Sequence, residues 1–304
     1  MFRGYIVMIN IIDFSDWEIY DGNSEGSGRS EKIWLRSNNK IGLFKYPKKH
    51  DSGEITTEHI SEKLSFDIAR LLNIPCATVD IGTYNGRIGS MSYRINNNHE
   101  YIVEGITFIN ALYPNYDIEK LYDSSNDIYY SLPLVSVIFE SLHLEKEFLE
   151  MMIFDALIGN TDRHHSNWAV LALSPKEFSF CPLYDNGSSL CCYIEEKNIA
   201  NYLGKDKNRF NSLVDSKSRS RIKLLLKDKK EPKHTDVLRH LNTTNNYDNC
   251  ISITDRIIQV LTQQNIKAIL DEYPDELLSA DRKKLICKFL MEKVNLIKEI
   301  FKGG

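Results

Sequence analysis

The stretch from Phe154 to Leu190, FDALIGNTDRHHSNWAVLALSPKEFSFCPLYDNGSSL, leaves the chain few ways to fold. Phe148, Met152 and Leu157 repeat with helical spacing before Gly159, a residue that takes the left-handed position at a helix C-terminus without steric cost. Asn160 to Ser166 then reads as a polar loop. Two apolar runs follow, Trp168 to Leu173 and Phe178 to Tyr184. They flank Ser174-Pro175-Lys176-Glu177, whose proline and polar residues suit a tight connection, so the runs predict a hairpin. A turn centred there places Asn167 opposite Tyr184 and beside Asp185. An amide oxygen and a carboxylate then meet at the open end of the hairpin, with Asp162 in the loop just before it.

Such a set suits a divalent cation. Mg²⁺ prefers oxygen ligands and takes one or two carboxylates from protein while phosphates and water complete its octahedron. Phosphoryl transfer by kinases uses a base carboxylate five residues before a metal-binding asparagine, then a metal-binding aspartate that opens a D-x-G turn. Asp162, Asn167 and Asp185-Asn186-Gly187 meet each condition. Taken singly, these residues also fit structural roles: Asp162 as a helix cap, Asn167 as a strand start and Asp185 as a turn residue. His164 and His165 suggest zinc, but adjacent histidines of one loop point apart and no third ligand accompanies them.

An independent signal lies near the amino terminus. Lys32 to Ser37 and Lys40 to Tyr46 are strand-like runs separated by Asn38-Asn39, residues that tolerate the left-handed angles of a two-residue turn. That register pairs Lys32 with Lys45. Like charges facing across strands repel, so the pair implies either an anion between them or two lysines splayed into solvent on an edge strand. Asp21 to Ser30 (DGNSEGSGRS) precedes the hairpin, and its glycines and serines allow backbone N–H groups to surround phosphate oxygens. Its serines also make autophosphorylation at Ser24 or Ser27 an expectation, the added charge repelling a bound triphosphate. Glu62, on a helix beginning at Thr57, can orient Lys45, with Glu58 one turn earlier as its competitor.

The rest of the chain sets the frame. Residues 1–92 are dominated by short alternating or β-branched runs, and helical periodicity prevails from Leu132 onward, so the expected architecture is α+β. It divides into a strand-rich lobe (1–92) and a helical lobe (93–304), with the change of regime near Asn96-Asn97-Asn98. The apolar start, Tyr5 to Ile12, is too short to span a bilayer and reads as a first strand. An apolar fraction of 42% with 26% charged residues excludes a disordered or collagen-like chain, and a net charge of −4 gives no general attraction to nucleic acid or anionic membrane. The six cysteines lack metal-type spacing, which predicts reduced thiols in a cytoplasmic protein, the Cys191-Cys192 pair included. Lys205 to Lys233 is rich in lysine and arginine and fits either a solvated face or a surface for an acidic partner.

With these residues in view, the chain resembles the HipA-like serine/threonine kinases, the CtkA type among them. The match is carried by IGNTDRHHSN (Ile158 to Asn167) and PLYD (Pro182 to Asp185), with support from GRSEK (Gly28 to Lys32), FKYP (Phe44 to Pro47) and the run from Glu62 to Pro75 ending IARLLNIP. It covers about residues 20 to 190. The resemblance implies a two-lobed protein-kinase-like fold, ATP with Mg²⁺, and phosphorylation of a protein serine or threonine. By motif, Asp162 is the catalytic base, Asn167 and Asp185 hold Mg²⁺, Lys45 contacts phosphate, and Ser27, Gly28, Arg29, Ser30, Glu31 and Lys32 cover the nucleotide. His164 and Tyr184 line the same pocket, and the adenine-facing hinge falls at Ser90, Met91 and Ser92. The resemblance further implies a possible antitoxin partner and, among protein substrates, an aminoacyl-tRNA synthetase or other translation factor; direct nucleic-acid binding is not expected. Two other readings use the same residues: a small-molecule phosphotransferase, which usually has histidine where this chain has Asn160, and a nucleotide-binding pseudokinase or toxin–antitoxin subunit without turnover.

Overall fold

The structure is a computed structural model and describes residues 8–21, 31–97, 99–174, 177–243 and 247–303. Its first part is one six-stranded sheet. In chain order the strands are β1 (Ile12–Asp13), β2 (Glu18–Ile19), β3 (Lys32–Ser37) and β4 (Lys40–Lys45), then, after helix α1 (Glu58–Leu71), β5 (Val79–Tyr84) and β6 (Arg87–Tyr93). The sheet order is β1-β5-β6-β4-β3-β2, antiparallel except for the parallel β1–β5 edge. Asn38 turns β3 into β4 at φ +51°, and the two-residue turn fixes the register that pairs Lys32 with Lys45. One face of the sheet buries Phe14, Leu35, Phe44, Tyr84 and Met91, with Phe14 and Phe44 meeting edge to face at 5.9 Å. Ile60, Leu64 and Ile68, at helical spacing on α1, join Ile81 of β5 in the main core.

The chain then runs through β7 (Tyr101–Glu104), α2 (Gly105–Leu112) and a small meander of β8 (Tyr116–Asp117), β9 (Tyr122–Asp123) and β10 (Ile128–Tyr129). Helices α3 (Leu132–Ser141) and α4 (Glu145–Ile158) lead to the hairpin β11 (Ala169–Ser174) and β12 (Glu177–Phe180). After it come a 3₁₀ turn at Glu196–Asn198 and helices α5 (Ala200–Leu203), α6 (Asn208–Val214), α7 (His234–Thr243), α8 (Tyr247–Val260), α9 (Gln263–Asp271) and α10 (Ala280–Lys302). The architecture is therefore mixed, a strand-rich amino-terminal part followed by a helical one. Among the described residues no helix is long and apolar enough to cross a membrane.

Helix α4 is the axis of the helical part. Met151 to Ile158 are all buried, with α3, α7, α8 and α10 packed around them. Phe139 stacks on Phe148 and on Trp168, with ring centroids 5.1 and 4.9 Å apart. Trp168 also presses on the start of α2, where a Cβ at Gly105 would lie 2.2 Å from its ring, so only glycine fits. At its C-terminus α4 ends at Gly159, φ +69°, and Phe289 of α10 fills the space a larger side chain would need. This buried helix delivers the loop that follows it to a fixed place.

Candidate active site

The loop after α4 is held by its own hydrogen bonds. The Asp162 carbonyl accepts from the His164 backbone N–H (2.8 Å) and from Asn167 Nδ2 (2.7 Å), while the Asp162 backbone N–H donates to Asn160 Oδ1 (3.1 Å). Asn167 is thereby oriented. Its amide nitrogen is used, and its amide oxygen has no hydrogen-bond partner among the described residues. The segment around Asp185 runs beside this loop. Leu190 donates to the Ile158 carbonyl and Thr161 to that of Ser188. Asp185 itself sits at φ +56°, a left-handed conformation an aspartate tolerates in a tight turn.

Arg163 joins the two segments. Fully buried, it donates Nε and Nη2 to both oxygens of Asp155 (2.9 and 2.8 Å), Nη2 also to Asn186 Oδ1, and Nη1 to the backbone carbonyls of Asn167 and Tyr184. The guanidinium fork makes both pairs of contacts from one rigid plane. Its role replaces the expected strand pairing of Asn167 with Tyr184. The β11–β12 ladder pairs Ser174 with Glu177, shifts register before Ala172, which faces Phe178, and ends near Val170–Phe180. Pro182, without an N–H, cannot extend it, and Leu183 instead pairs with Cys76.

From the sheet side, Lys45 Nζ stands 2.9 Å from Asp185 Oδ1. Desolvation pushes the Asp185 carboxyl up, but Lys45 more than offsets it and holds the group below its ordinary value. On Lys45 the balance is the same: burial lowers the ammonium, and Asp185 with Glu62 raises it above the usual lysine range. Lys32 is pushed down, first by burial and then by the charge of Lys45. Glu62 is buried on α1 with Oε1 unpaired, and burial raises its carboxyl despite Lys45. Glu58 is not equivalent. It is engaged by the Lys48 backbone N–H, Thr56 Oγ1 and the Tyr193 hydroxyl, so Glu62 is the carboxylate left to face Lys45.

A family model described as the HipA-like C-terminal domain matches residues 26–245. The chain belongs to that family. The serine/threonine-protein kinase CtkA of Helicobacter pylori strain J99 is 27% identical over 296 residues, 95% of this chain and 87% of that protein. The crystal structure of a H. pylori proinflammatory kinase CtkA superposes with a TM-score of 0.79 at 23% identity, covering 96% of this chain and 99% of that one. A second fold match is a structure of the Shewanella oneidensis MR-1 toxin–antitoxin system, HipA with HipB and operator DNA. It gives a TM-score of 0.58 at 16% identity over 93% of this chain and 68% of that one.

Other expected site residues of this HipA-like chain divide by position. His164 is partly buried, its Nδ1 accepts from the Ser166 backbone N–H (3.2 Å), and burial lowers its pKa. His165 is turned inward against Tyr116 and Tyr130, bonded to Ser166 Oγ and the Ile118 carbonyl, and its pKa is pushed down to about 4 by burial. Among the described residues no cluster of three or more His, Cys, Asp or Glu is placed to hold a metal alone. The Tyr184 hydroxyl donates to the Ser166 carbonyl (3.0 Å), and burial raises its pKa well above the ordinary value. Glu31 lies at the sheet edge, paired with Arg87 at 2.6 Å.

Ser90, Met91 and Ser92 are not at a join between lobes. They lie inside β6 opposite Lys45, Phe44 and Leu43, with Met91 fully buried in the core of the sheet. The strand leaves the sheet only after Tyr93. Ser27, Gly28, Arg29 and Ser30, together with Ser24, lie outside the described residues. All six cysteines are free thiols, Cys191 and Cys192 buried. Arg163 was missed by sequence reasoning, as was Arg221, whose Nε lies 3.4 Å from Asp162 Oδ1.

Proposed function

We propose that the chain is an ATP- and Mg²⁺-dependent kinase of protein serine or threonine, with Asp162 as the catalytic base. The observation that carries this reading is the Lys45–Asp185 contact between the sheet and the helical part, formed beside a loop that presents Asp162 and a free Asn167 amide oxygen. A hairpin lysine, a carboxylate at the head of D-x-G and an asparagine five residues after the base are the parts phosphoryl transfer requires.

The donor set fits the expected cofactor. Asp185, kept ionised by Lys45, and Asn167 are two hard oxygen ligands, too few for a dedicated metal cage but suited to Mg²⁺ completed by phosphate oxygens and water. Lys45 and Lys32 supply positive charge opposite a triphosphate, which relieves the repulsion of their facing ammonium groups. The bound metal supplies charge neutralisation on the transferred phosphoryl group. The chain's own residues do the rest. Asp162 accepts the proton of the attacking hydroxyl, Arg163 fixes the spacing of Asn167 and Asp185, and Glu62 orients Lys45. Catalysis then comes from positioning and preorganised charge. A protein acceptor is supported by the CtkA relative, and an antitoxin-type partner by the HipB-bound HipA structure.

The test is transfer from labelled ATP to the chain itself and to lysate proteins. Asp162→Asn is expected to keep nucleotide affinity and lose about 10²- to 10⁴-fold in turnover, the usual scale for a positioned base. Near-normal turnover in that variant removes Asp162 from the role. Phosphorylation of small metabolites with no protein labelled moves the chain to the small-molecule class.

A further inference from the structure

The segment 205–233 carries eleven lysines and arginines against four acids in a chain whose net charge is −4. Part of it, residues 217–221, forms a basic strip around an isolated β-bridge at Arg219, with Lys217 in the turn before it and Arg221 at the bend after it. Ser218 and Ser220 are buried, at 4% and 3%, while Lys217 and Arg219 are exposed and Arg221 keeps 42% of its side chain accessible. The alternation has fixed causes. Ser218 Oγ bonds to His234 Nδ1 (2.8 Å) and accepts from Lys293 Nζ (2.7 Å), the Ser220 backbone N–H donates to the Pro232 carbonyl, and Arg219 bridges to Lys233. Three cations therefore stand at alternate residues of a hydrogen-bonded segment: Lys217 is exposed, and Arg219 donates Nε and Nη1 to the Ser216 and Glu231 carbonyls (3.0 and 2.5 Å) while remaining exposed.

The strip ends on the proposed base. Arg221 Nε reaches Asp162 Oδ1 at 3.4 Å, and its Nη1 holds Glu231 Oε1 at 2.8 Å. Among the described residues it makes no hydrogen bond or ion pair with Lys45, Asn167 or Asp185. It thus borders Asp162 without entering the phosphate-binding cluster, and an acceptor hydroxyl must approach Asp162 from outside that cluster. Glu231 shows the geometry already accepting a carboxylate on the outer edge of Arg221.

Resting on the kinase reading above, we infer that Lys217, Arg219 and Arg221 recognise an acidic acceptor segment. Such a segment is an extended chain that presents serine or threonine to Asp162 and carries carboxylates at alternate positions. Alternate residues of an extended peptide stand about 7 Å apart and point to the same side, so its carboxylates share the face that meets the cations. Each exposed pair contributes little, so the preference arises from several together and weakens with salt.

Three peptides decide it, identical but for Asp, Ala or Lys at alternate positions around one serine. With the full chain and Mg-ATP, the Asp peptide is expected to exceed the Ala peptide about tenfold in kcat/KM, mostly through KM, with the Lys peptide lowest and the spread collapsing in high salt. In the folded double variant Lys217→Glu/Arg219→Glu the order inverts. Anisotropy of the labelled Asp peptide gives a readout independent of turnover: it binds the wild-type chain and loses about tenfold in affinity for the variant. Equal kcat/KM for the three peptides, or an order unchanged in the double variant, overturns the inference while leaving the kinase reading intact. No transfer to any peptide or to the chain itself sinks the kinase reading, and peptide binding then still judges the strip. Tighter binding of a single-stranded oligonucleotide of equal charge makes the strip a nucleic-acid surface and likewise overturns it.

Discussion

Lys45 Nζ lies 2.9 Å from Asp185 Oδ1, a contact between residues 140 positions apart that ties the sheet to the Asp185-Asn186-Gly187 turn. Both groups gain from it: the ammonium is raised and the carboxyl lowered relative to their ordinary values. Glu62 is the third member, buried with one oxygen unpaired. Lys45→Met leaves two carboxylates facing each other without a cation. Phosphotransfer is expected to fall by about 10²-fold or more, as when a preorganised charge is removed from a transition state. Glu62→Gln keeps the shape, removes only the orienting charge and costs about tenfold. Initial rates with labelled ATP, alongside calorimetric nucleotide titration, measure both. A Glu62→Gln loss larger than that of Lys45→Met contradicts the assignment of Glu62 as the orienting partner.

Asp155 and Arg163 form a bonded pair with side chains 3% and 1% exposed. Removing one partner leaves a bare charge in the core, so Arg163→Met is expected to destabilise the fold by about 3–5 kcal/mol. Asp155→Leu with Arg163→Met removes both charges and recovers much of that loss in urea unfolding. It does not recover activity, because nothing then holds the Asn167 and Tyr184 carbonyls together. A double variant that regains stability and turnover alike rejects the positioning role of Arg163.

The parts legible in the sequence are those set by local rules. Asn38-Asn39 permits a two-residue turn, and a turn of that length leaves no freedom in register, so the Lys32–Lys45 pairing follows. The end of α4 is legible because Gly159 has few alternatives. The second hairpin was read one residue out on its Asn167 side, since a shift between Ala172 and Ser174 depends on packing that no short pattern encodes. Ser90 to Ser92 misled for a related reason: the residue after which a strand leaves a sheet is fixed by its neighbours. Arg163 went unnoticed within a polar loop beside two histidines. Its signal was Asp155, a carboxylate inside the apolar run of α4 that could be buried only with a cation, and Arg163 is the nearest one following it.

The last prediction concerns Lys293 of α10, a buried lysine beside Ser218. Its ammonium donates to Ser218 Oγ, and burial, opposed by Asp215 and Cys191, pushes its pKa down to about 7. An unfolded lysine titrates near about 10.4. Below pH 7 the group is protonated in both states, and the folded one bears the cost of a buried charge. Between pH 7 and about 10 the unfolded chain binds a proton that the folded chain does not, so this group makes stability rise with pH, by a few kcal/mol across the window. Lys293→Met removes that slope. Against wild type it is expected to be more stable near pH 6.5, where the penalty is largest, with the advantage vanishing toward pH 9.5 as the lost bond to Ser218 is no longer outweighed. Urea midpoints across that range measure the difference, which cancels contributions from other titrating groups. A constant offset between the two proteins shows that Lys293 stays charged in the folded chain throughout, as it does in the unfolded one.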